Sequence, residues 1–193
     1  VEIDLPAIRN NIQVFRDKLD PNCMLLAMVK ASAYGGGLDR IAHVLEQEQI
    51  NYLGVAYTEE GVKLRAAGIS SPIMVMNSEK QGFSKMVENQ IEPSIYNLNL
   101  LEDFIRFLIK KGIKNYPIHL KIETGMNRLG FRTSEIKLLL DKIASQPEVR
   151  VKSVFSHLSS SDDPSELNWS EQQEDRFDQA CEEIRKGLGY DFI

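Results

Sequence analysis

Two hydrophobic periods alternate along this chain. Short continuous apolar runs, each bounded by turn formers, read as strands buried on both faces of a parallel sheet. Between them, apolar residues return every third or fourth position, the stripe of an amphipathic helix. Residues 1–5 form a short alternating segment. Asp4 then reads as an N-cap with Pro6 in the first turn, and Ile8, Ile12, Phe15 and Leu19 form the first stripe, ended by Asp20-Pro21-Asn22. A strand follows at 24–29, then a glycine turn and a stripe of Leu38, Ile41, Ala42 and Leu45. The unit recurs. Strands are expected at 52–56, 72–77, 94–96, 116–123 and 149–157. Between the strands, Thr58 caps a helix with Glu59 and Glu60 in its first turn and Gly68 at its close. Further helices are expected at about 80–89, from Leu98 through Leu101, Ile105, Leu108 and Ile109 to Gly112, and at about 133–145. Ser170 with Gln173 resembles a capping box for a last helix that buries Phe177, Cys181, Ile184 and Leu188 before Gly187 and Gly189.

Six strands, each followed by a helix, make an α/β fold of (β/α) units. A doubly wound sheet and a closed barrel share this signature. Two features favour the TIM-type barrel: no G-x-G-x-x-G fingerprint is present, and some strands carry polar residues on one face, as barrel interiors do near an active mouth. The expected fold is an incomplete barrel, about six of eight βα units, reaching Tyr190-Asp191-Phe192-Ile193 where the next strand would begin. Two open edges would favour association or instability.

Composition narrows the function classes. The chain has 193 residues, 42% hydrophobic and 26% charged, which suits one globular domain with a real core. A net charge of -5 without a basic block gives no electrostatic case for nucleic acid or an anionic membrane. No apolar run approaches the roughly 18 residues of a membrane span, and no secretory leader is evident, so a cytoplasmic location is expected. Cys23 and Cys181 lie far apart, indicate no disulfide framework and read as packing residues. No Cys/His cluster has metal-ligand spacing. A first residue of Val1 points to processing or excision from a longer polypeptide.

The candidate chemistry lies at strand ends. In 24–30, alternation puts Leu26, Met28 and Lys30 on one face and Leu25, Ala27 and Val29 on the other, with Lys30 at the exit into Tyr34-Gly35-Gly36-Gly37. Alone, Lys30 reads more readily as a solvated lysine at a strand exit. In 116–123, Ile118, Leu120 and Ile122 alternate with His119, Lys121 and Glu123, so three ionisable groups face inward, where they need partners. The loop beyond carries Arg128, suited either to an anionic oxygen or to a neighbouring surface carboxylate. His157 ends the sixth strand as a base, ligand, orienting group or structural histidine. If these strand ends share one barrel rim, Lys30, Arg128 and His157 converge there. A lysine near other cations has its neutral amine favoured, as condensation with an aldehyde requires. An aldehyde cofactor bearing a phosphate fits the set, with Lys30 condensing, Arg128 meeting an anionic oxygen and the glycine loop beside Tyr34 making room for the phosphate.

VKASAYGGG, HLKIETGMNRLGF and VFSHLSSSDD, in this order and spacing, strongly resemble the barrel domain of bacterial alanine racemases, which use pyridoxal 5'-phosphate. The resemblance covers essentially the whole chain, residues 1–193, as a partial cofactor-binding barrel domain. It implies that Lys30 is the Schiff-base lysine and one of two catalytic bases, and that Tyr34 contacts the phosphate. It implies that Arg128 bonds the cofactor's phenolic oxygen and lies close to the substrate carboxylate. Lys121 matches a lysine, often carbamylated, that positions this arginine, and His157 matches the histidine supporting a pyridine-facing arginine. Ser32 stands where the family commonly has an acid or asparagine, and Gly36 where it has a histidine. The later barrel strands and a C-terminal β-domain, whose tyrosine serves as second base in a homodimer partner's site, are expected beyond Ile193. The implied function is interconversion of L- and D-alanine for peptidoglycan precursors, by a longer enzyme for which a ligase–racemase fusion is one candidate parent. The fragment alone is expected to be inactive. The alternatives are a non-catalytic pyridoxal-phosphate carrier of vitamin B6 homeostasis and another racemase or decarboxylase of the same fold.

Overall fold

The computed structural model describes residues 2–193. Helix α1 (Leu5–Arg16) begins where Asp4 Oδ1 accepts the Ala7 N–H at 3.0 Å, the expected cap. Six βα units follow in chain order: β1 (Leu26–Met28) with α2 (Lys30–Tyr34) and α3 (Leu38–Gln47), β2 (Tyr52–Val55) with α4 (Thr58–Ala66), and β3 (Ile73–Val75) with α5 (Phe83–Glu88). Then come β4 (Glu92–Ile95) with α6 (Leu98–Lys111), β5 (Tyr116–Lys121) with α7 (Ile136–Ile143), and β6 (Val149–Phe155) with α8 (Leu167–Leu188). Every strand pairs in parallel with the one before it, in the order β1-β2-β3-β4-β5-β6. A doubly wound sheet reverses its strand order at a switch point. The unreversed order here is that of a TIM-type barrel, with six of its eight strands.

Two compact units divide the chain, one running to Pro93 and the other from Ser94. In the first, Val29, Leu38, Leu45, Leu53, Leu64 and Ile73 form one buried cluster against which Leu25 and Ala27 pack. Leu26 and Met28 lie on the opposite face of β1. A side chain at Gly54 would come within 2.4 Å of the Met28 sulfur and 2.8 Å of Leu26 Cδ2. The alternation read along 24–29 is therefore observed. In the second unit, Leu101, Phe104, Ile118, Leu120, Leu139 and Ile184 are buried, and Phe104 meets Tyr116 edge to face at 5.6 Å.

Several element ends differ from expectation. Helix α1 stops at Arg16, so Leu19 lies beyond it and Phe15 is 61% exposed. Thr58 is the buried first residue of α4, and Tyr57 takes the cap position. In α6 the buried stripe turns through Leu100 and Phe104, leaving Ile109 exposed. Ser170 and Gln173 lie inside α8 rather than at its start, and both are buried. Phe177, Cys181 and Leu188 are half-buried, with Ala180 and Ile184 taking the inner positions. Gly187 also lies within α8, packed so closely on α7 that a side chain there would meet Leu140 Cδ1 at 2.5 Å. Past the helix, the Ile193 N–H donates to Lys152 O at 3.0 Å, and its carbonyl accepts the Val154 N–H at 2.9 Å. That is a parallel-ladder pattern beside β6, where the next strand was expected. Among the described residues no helix is long and apolar enough to cross a membrane.

Candidate active site

In the first unit, the sheet bonding of β1 ends when the Val29 N–H donates to Gly54 O at 2.8 Å. Lys30 comes next, and it opens a turn wound the opposite way from an ordinary helix. Ala31, Ser32, Ala33 and Tyr34 have φ of 51, 56, 53 and 56°. Left-handed geometry presses each Cβ against the following carbonyl and costs about 1–2 kcal/mol per residue. The turn recovers part of this through its own hydrogen bonds, Ala33 N–H to Val29 O at 2.9 Å, and Gly35 N–H to Ala31 O and Gly37 N–H to Ser32 O at 3.0 Å each. Gly35 and Gly37, with φ of 85 and 88°, then return the chain to α3. Lys30 thus lies two residues past the last strand residue. Its amine is exposed, 5.9 Å from the Tyr34 ring centroid, and Tyr34 is itself 68% exposed.

An acid read from sequence only as a helix-dipole partner holds this turn. Glu60, third residue of α4, accepts the Ala31 N–H on Oε1 at 2.7 Å. Its Oε2 accepts the N–H groups of Ala56 at 2.7 Å and Tyr57 at 3.2 Å. The signal available in sequence was its position, since an acid three residues into a helix reaches back to the entering backbone.

The second unit carries the other candidates. Of the three ionisable groups expected inward along β5, His119 and Lys121 are buried and Glu123 is half-buried, and His119 Nδ1 meets Ser153 Oγ on β6 at 2.6 Å. The Lys121 amine lies 5.9 Å from the Phe155 ring. Burial, then the nearby Arg128 cation, push its pKa below the ordinary lysine value, against the opposing pull of Glu123. The loop after β5 folds back on itself through Glu123 N–H to Phe131 O at 2.9 Å and Phe131 N–H to Lys121 O at 2.8 Å. Gly130, at φ 135°, allows this return, since a side chain there would sit 2.6 Å from the Glu123 nitrogen. Arg128 is exposed on this loop, and His157 is exposed two residues past β6.

Gln173, fully buried on α8, ties these loops together, a role its sequence context did not suggest. Its carbonyl oxygen accepts the Ser159 N–H and Oγ–H at 3.0 Å each. Its amide donates to Thr124 Oγ1 at 3.3 Å and to the His157 carbonyl at 3.2 Å. Thr124 Oγ1 in turn meets Ser156 Oγ at 2.7 Å. Arg176 stacks on Trp169 at 5.0 Å and donates to Thr124 O at 3.0 Å. Lys30 and Tyr34 therefore belong to one unit, and Lys121, Arg128 and His157 to the other. The first unit offers an exposed primary amine beside a phenol, and the second a guanidinium on a loop and a buried amine of lowered pKa. An amine suits an aldehyde, and a phenol and a guanidinium suit anionic oxygens. The amine and phenol of the first unit fit a phosphorylated aldehyde.

Comparison with known proteins adds the following. The family described as "Alanine racemase, N-terminal domain" matches residues 3–192. An alanine racemase of Synechocystis sp. is 35% identical over 188 residues, covering 96% of this chain and 50% of the relative. One from Methanococcus maripaludis is 35% identical over 163 residues, 83% of this chain and 43% of the relative. Among solved structures, alanine racemase from D-cycloserine-producing Streptomyces lavendulae superposes with a TM-score of 0.89 at 31% identity, covering 98% of this chain and 50% of that one. The Bacillus anthracis enzyme with bound L-Ala-P superposes with a TM-score of 0.87 at 25% identity, over 98% and 48%. The chain spans about half the length of the curated relatives it matches.

Proposed function

The chain belongs to the alanine racemase N-terminal domain family, and from this premise we propose that it is the lysine-bearing part, residues 1–193, of a pyridoxal-phosphate enzyme that interconverts L- and D-alanine. The observation that carries the reading is the exposed Lys30 amine presented beside Tyr34 on a braced turn directly after β1. The relatives named above are alanine racemases, which favours this reading over a vitamin B6 carrier and over another racemase or decarboxylase. The parent enzyme is then a cytoplasmic homodimer supplying D-alanine for cell-wall precursors.

Pyridoxal phosphate, when bound, supplies the electron sink that makes the substrate α-proton acidic. The chain's own residues do the rest. Lys30 Nζ would hold the cofactor's aldehyde carbon and serve as the base that takes or returns the α-proton on one face. The Tyr34 hydroxyl would donate to a phosphate oxygen. By the resemblance, Arg128 would hold the cofactor's phenolic oxygen near the substrate carboxylate, and His157 would support an arginine further along the enzyme. Lys121, whose pKa is lowered by burial and then by Arg128, is the amine whose deprotonated form carbon dioxide would attack. Loss of a proton then leaves a carbamate anion that orients Arg128 instead of repelling it. Racemisation also needs a base on the opposite face, which the resemblance assigns to a tyrosine of the β-domain.

Incubation with pyridoxal phosphate, borohydride reduction and peptide mapping test the site. The adduct is expected on Lys30, and Lys30→Ala removes it. Labelling spread over surface lysines instead would overturn the assignment. The purified 193-residue chain is expected to show no racemase turnover, and measured turnover would refute the need for a second base from elsewhere.

A further inference from the structure

Glu60 is placed to control the direction in which Lys30 leaves the sheet. The N–H that its Oε1 accepts, at 2.7 Å, is the amide of the peptide bond Lys30 itself forms with Ala31. The turn's own bonds begin only at Ala33, so this N–H precedes them. The second carboxylate oxygen grips the Ala56 and Tyr57 amides just after β2, the strand that pairs with β1. One side chain therefore ties the residue after Lys30 to the scaffold beside it. The base of this clamp is firmly seated. At Gly61, next to Glu60, an added Cβ would stand 2.9 Å from Ile91 Cδ1 and 3.4 Å from Ile73 Cγ2, so α4 presses on the core at this point. Glu59, on the other side, pairs with Lys85 at 3.3 Å.

We propose that Glu60 is a positioning residue for Lys30, its carboxylate holding the Lys30–Ala31 peptide in the left-handed turn and thereby aiming the amine. Four successive residues with side chains in that geometry relax toward ordinary backbone conformations once an end is released, and the lysine at the start of the turn swings with them. A carboxylate suits this role because it accepts several N–H groups at once, each bond strengthened by the charge. The proposal rests on reading Lys30 as the cofactor-condensing lysine.

The test compares the unsubstituted chain with Glu60→Gln, Glu60→Asp and the control Glu59→Gln. Glu60→Gln keeps the size but turns an amide toward one of the N–H donors. Glu60→Asp keeps the charge at the helix start and shortens its reach to Ala31, so it carries the test if the glutamine variant does not fold. Two readouts are taken on folded protein: amide exchange at Ala31, against Leu53 and Val75 in the strands, and the fraction of borohydride-fixed pyridoxal phosphate found on Lys30 rather than on surface lysines. Both Glu60 variants should speed Ala31 exchange and lower Lys30 selectivity by roughly tenfold each, the change that loss of one charge-assisted hydrogen bond corresponds to. Strand exchange and the Glu59→Gln variant should stay unchanged. A lowered melting temperature with Lys30 selectivity intact would reduce Glu60 to a structural cap and overturn the proposal. If the unsubstituted chain puts no adduct on Lys30, the cofactor reading fails instead, and the clamp is decided by Ala31 exchange alone.

Discussion

The two units brace their loops with different materials. In the first, full charges grip the backbone. Glu60 takes three N–H groups around the lysine turn, Glu46 takes the N–H and Oγ–H groups of Ser70 and Ser71, and Arg65 donates to the carbonyls of Ile69, Ser71, Asn89 and Gln90. In the second, the loops after β5 and β6 are joined mainly by neutral groups: Gln173, Ser159, Thr124, Ser156, and the His119–Ser153 pair between the strands. The location of each brace accounts for the difference. Glu46 and Glu60 work near the surface, where a carboxylate stays hydrated while it gathers N–H donors. Gln173 is completely buried, where a full charge would cost several kcal/mol in desolvation. The first unit should therefore answer to pH, and the second to loss of a single neutral group.

The largest expected effect breaks the neutral network. Gln173→Leu fills the same space but leaves the Ser159 amide, Thr124 Oγ1 and the His157 carbonyl without this partner. Each buried polar group left unsatisfied costs about 1–3 kcal/mol, and some will recruit water, so a loss of about 3 kcal/mol is expected by urea unfolding. The loss should be the same at pH 7 and pH 4, because no titrating side chain is removed. A loss that shrinks in acid would mean that the second unit is also braced by charge.

How much of this could be read beforehand divides along the same line. The six βα repeats, the Asp4 cap and the split faces of β1 follow from local periodicity and turn chemistry, which act over a few residues. The two ends of a stripe were less legible. Phe15 and Ile109 continue the apolar spacing yet stay exposed, because an isolated apolar residue at the margin of a stripe carries no mark of which neighbour, if any, covers it. The left-handed turn was hidden for a different reason. Ala-Ser-Ala-Tyr has no intrinsic preference for that geometry, and what holds it there includes Glu60, 29 residues away from Ala31. Ser170 and Gln173 mislead for a third reason: Ser-x-x-Gln has the spacing of a capping box wherever it falls, and this one falls inside α8, which starts at Leu167.

Glu46 tests the charged half. Burial pushes its carboxyl up, but hydrogen bonds from the N–H and Oγ–H of Ser71 and then of Ser70 outweigh it and hold the pKa at about 2, against an ordinary 4.5. A depressed acid stabilises the fold fully above its unfolded value. That contribution shrinks as the pH falls below 4.5 and is gone below about 2. Glu46→Gln keeps an oxygen at the same place and removes only the charge. It should cost about 1 kcal/mol at pH 7, a modest figure for a partly exposed group. The gap from the unsubstituted chain, followed by urea midpoint, should close between pH 4.5 and 2, because a protonated Glu46 is itself a neutral acceptor. A gap that stays constant into acid would show that the charge does not provide the brace.

The smallest effect is the most diagnostic, because its sign is at stake. In an ordinary helix, replacing alanine by glycine costs about 1 kcal/mol. Ala31, at φ 51° and exposed, already bears a left-handed penalty of about 1–2 kcal/mol that glycine does not. Glycine also loosens the unfolded chain, which takes back about 0.4–1 kcal/mol. Ala31→Gly should therefore stabilise the chain by about 0.5 kcal/mol net of these terms, measurable as a raised urea midpoint at unchanged slope. It leaves the Ala31 N–H to Glu60 in place, so the selectivity of pyridoxal phosphate for Lys30 should hold while the strain falls. Destabilisation on the scale of a normal helix position would mean that the turn stores no strain, and that Glu60 braces a backbone already content with its shape.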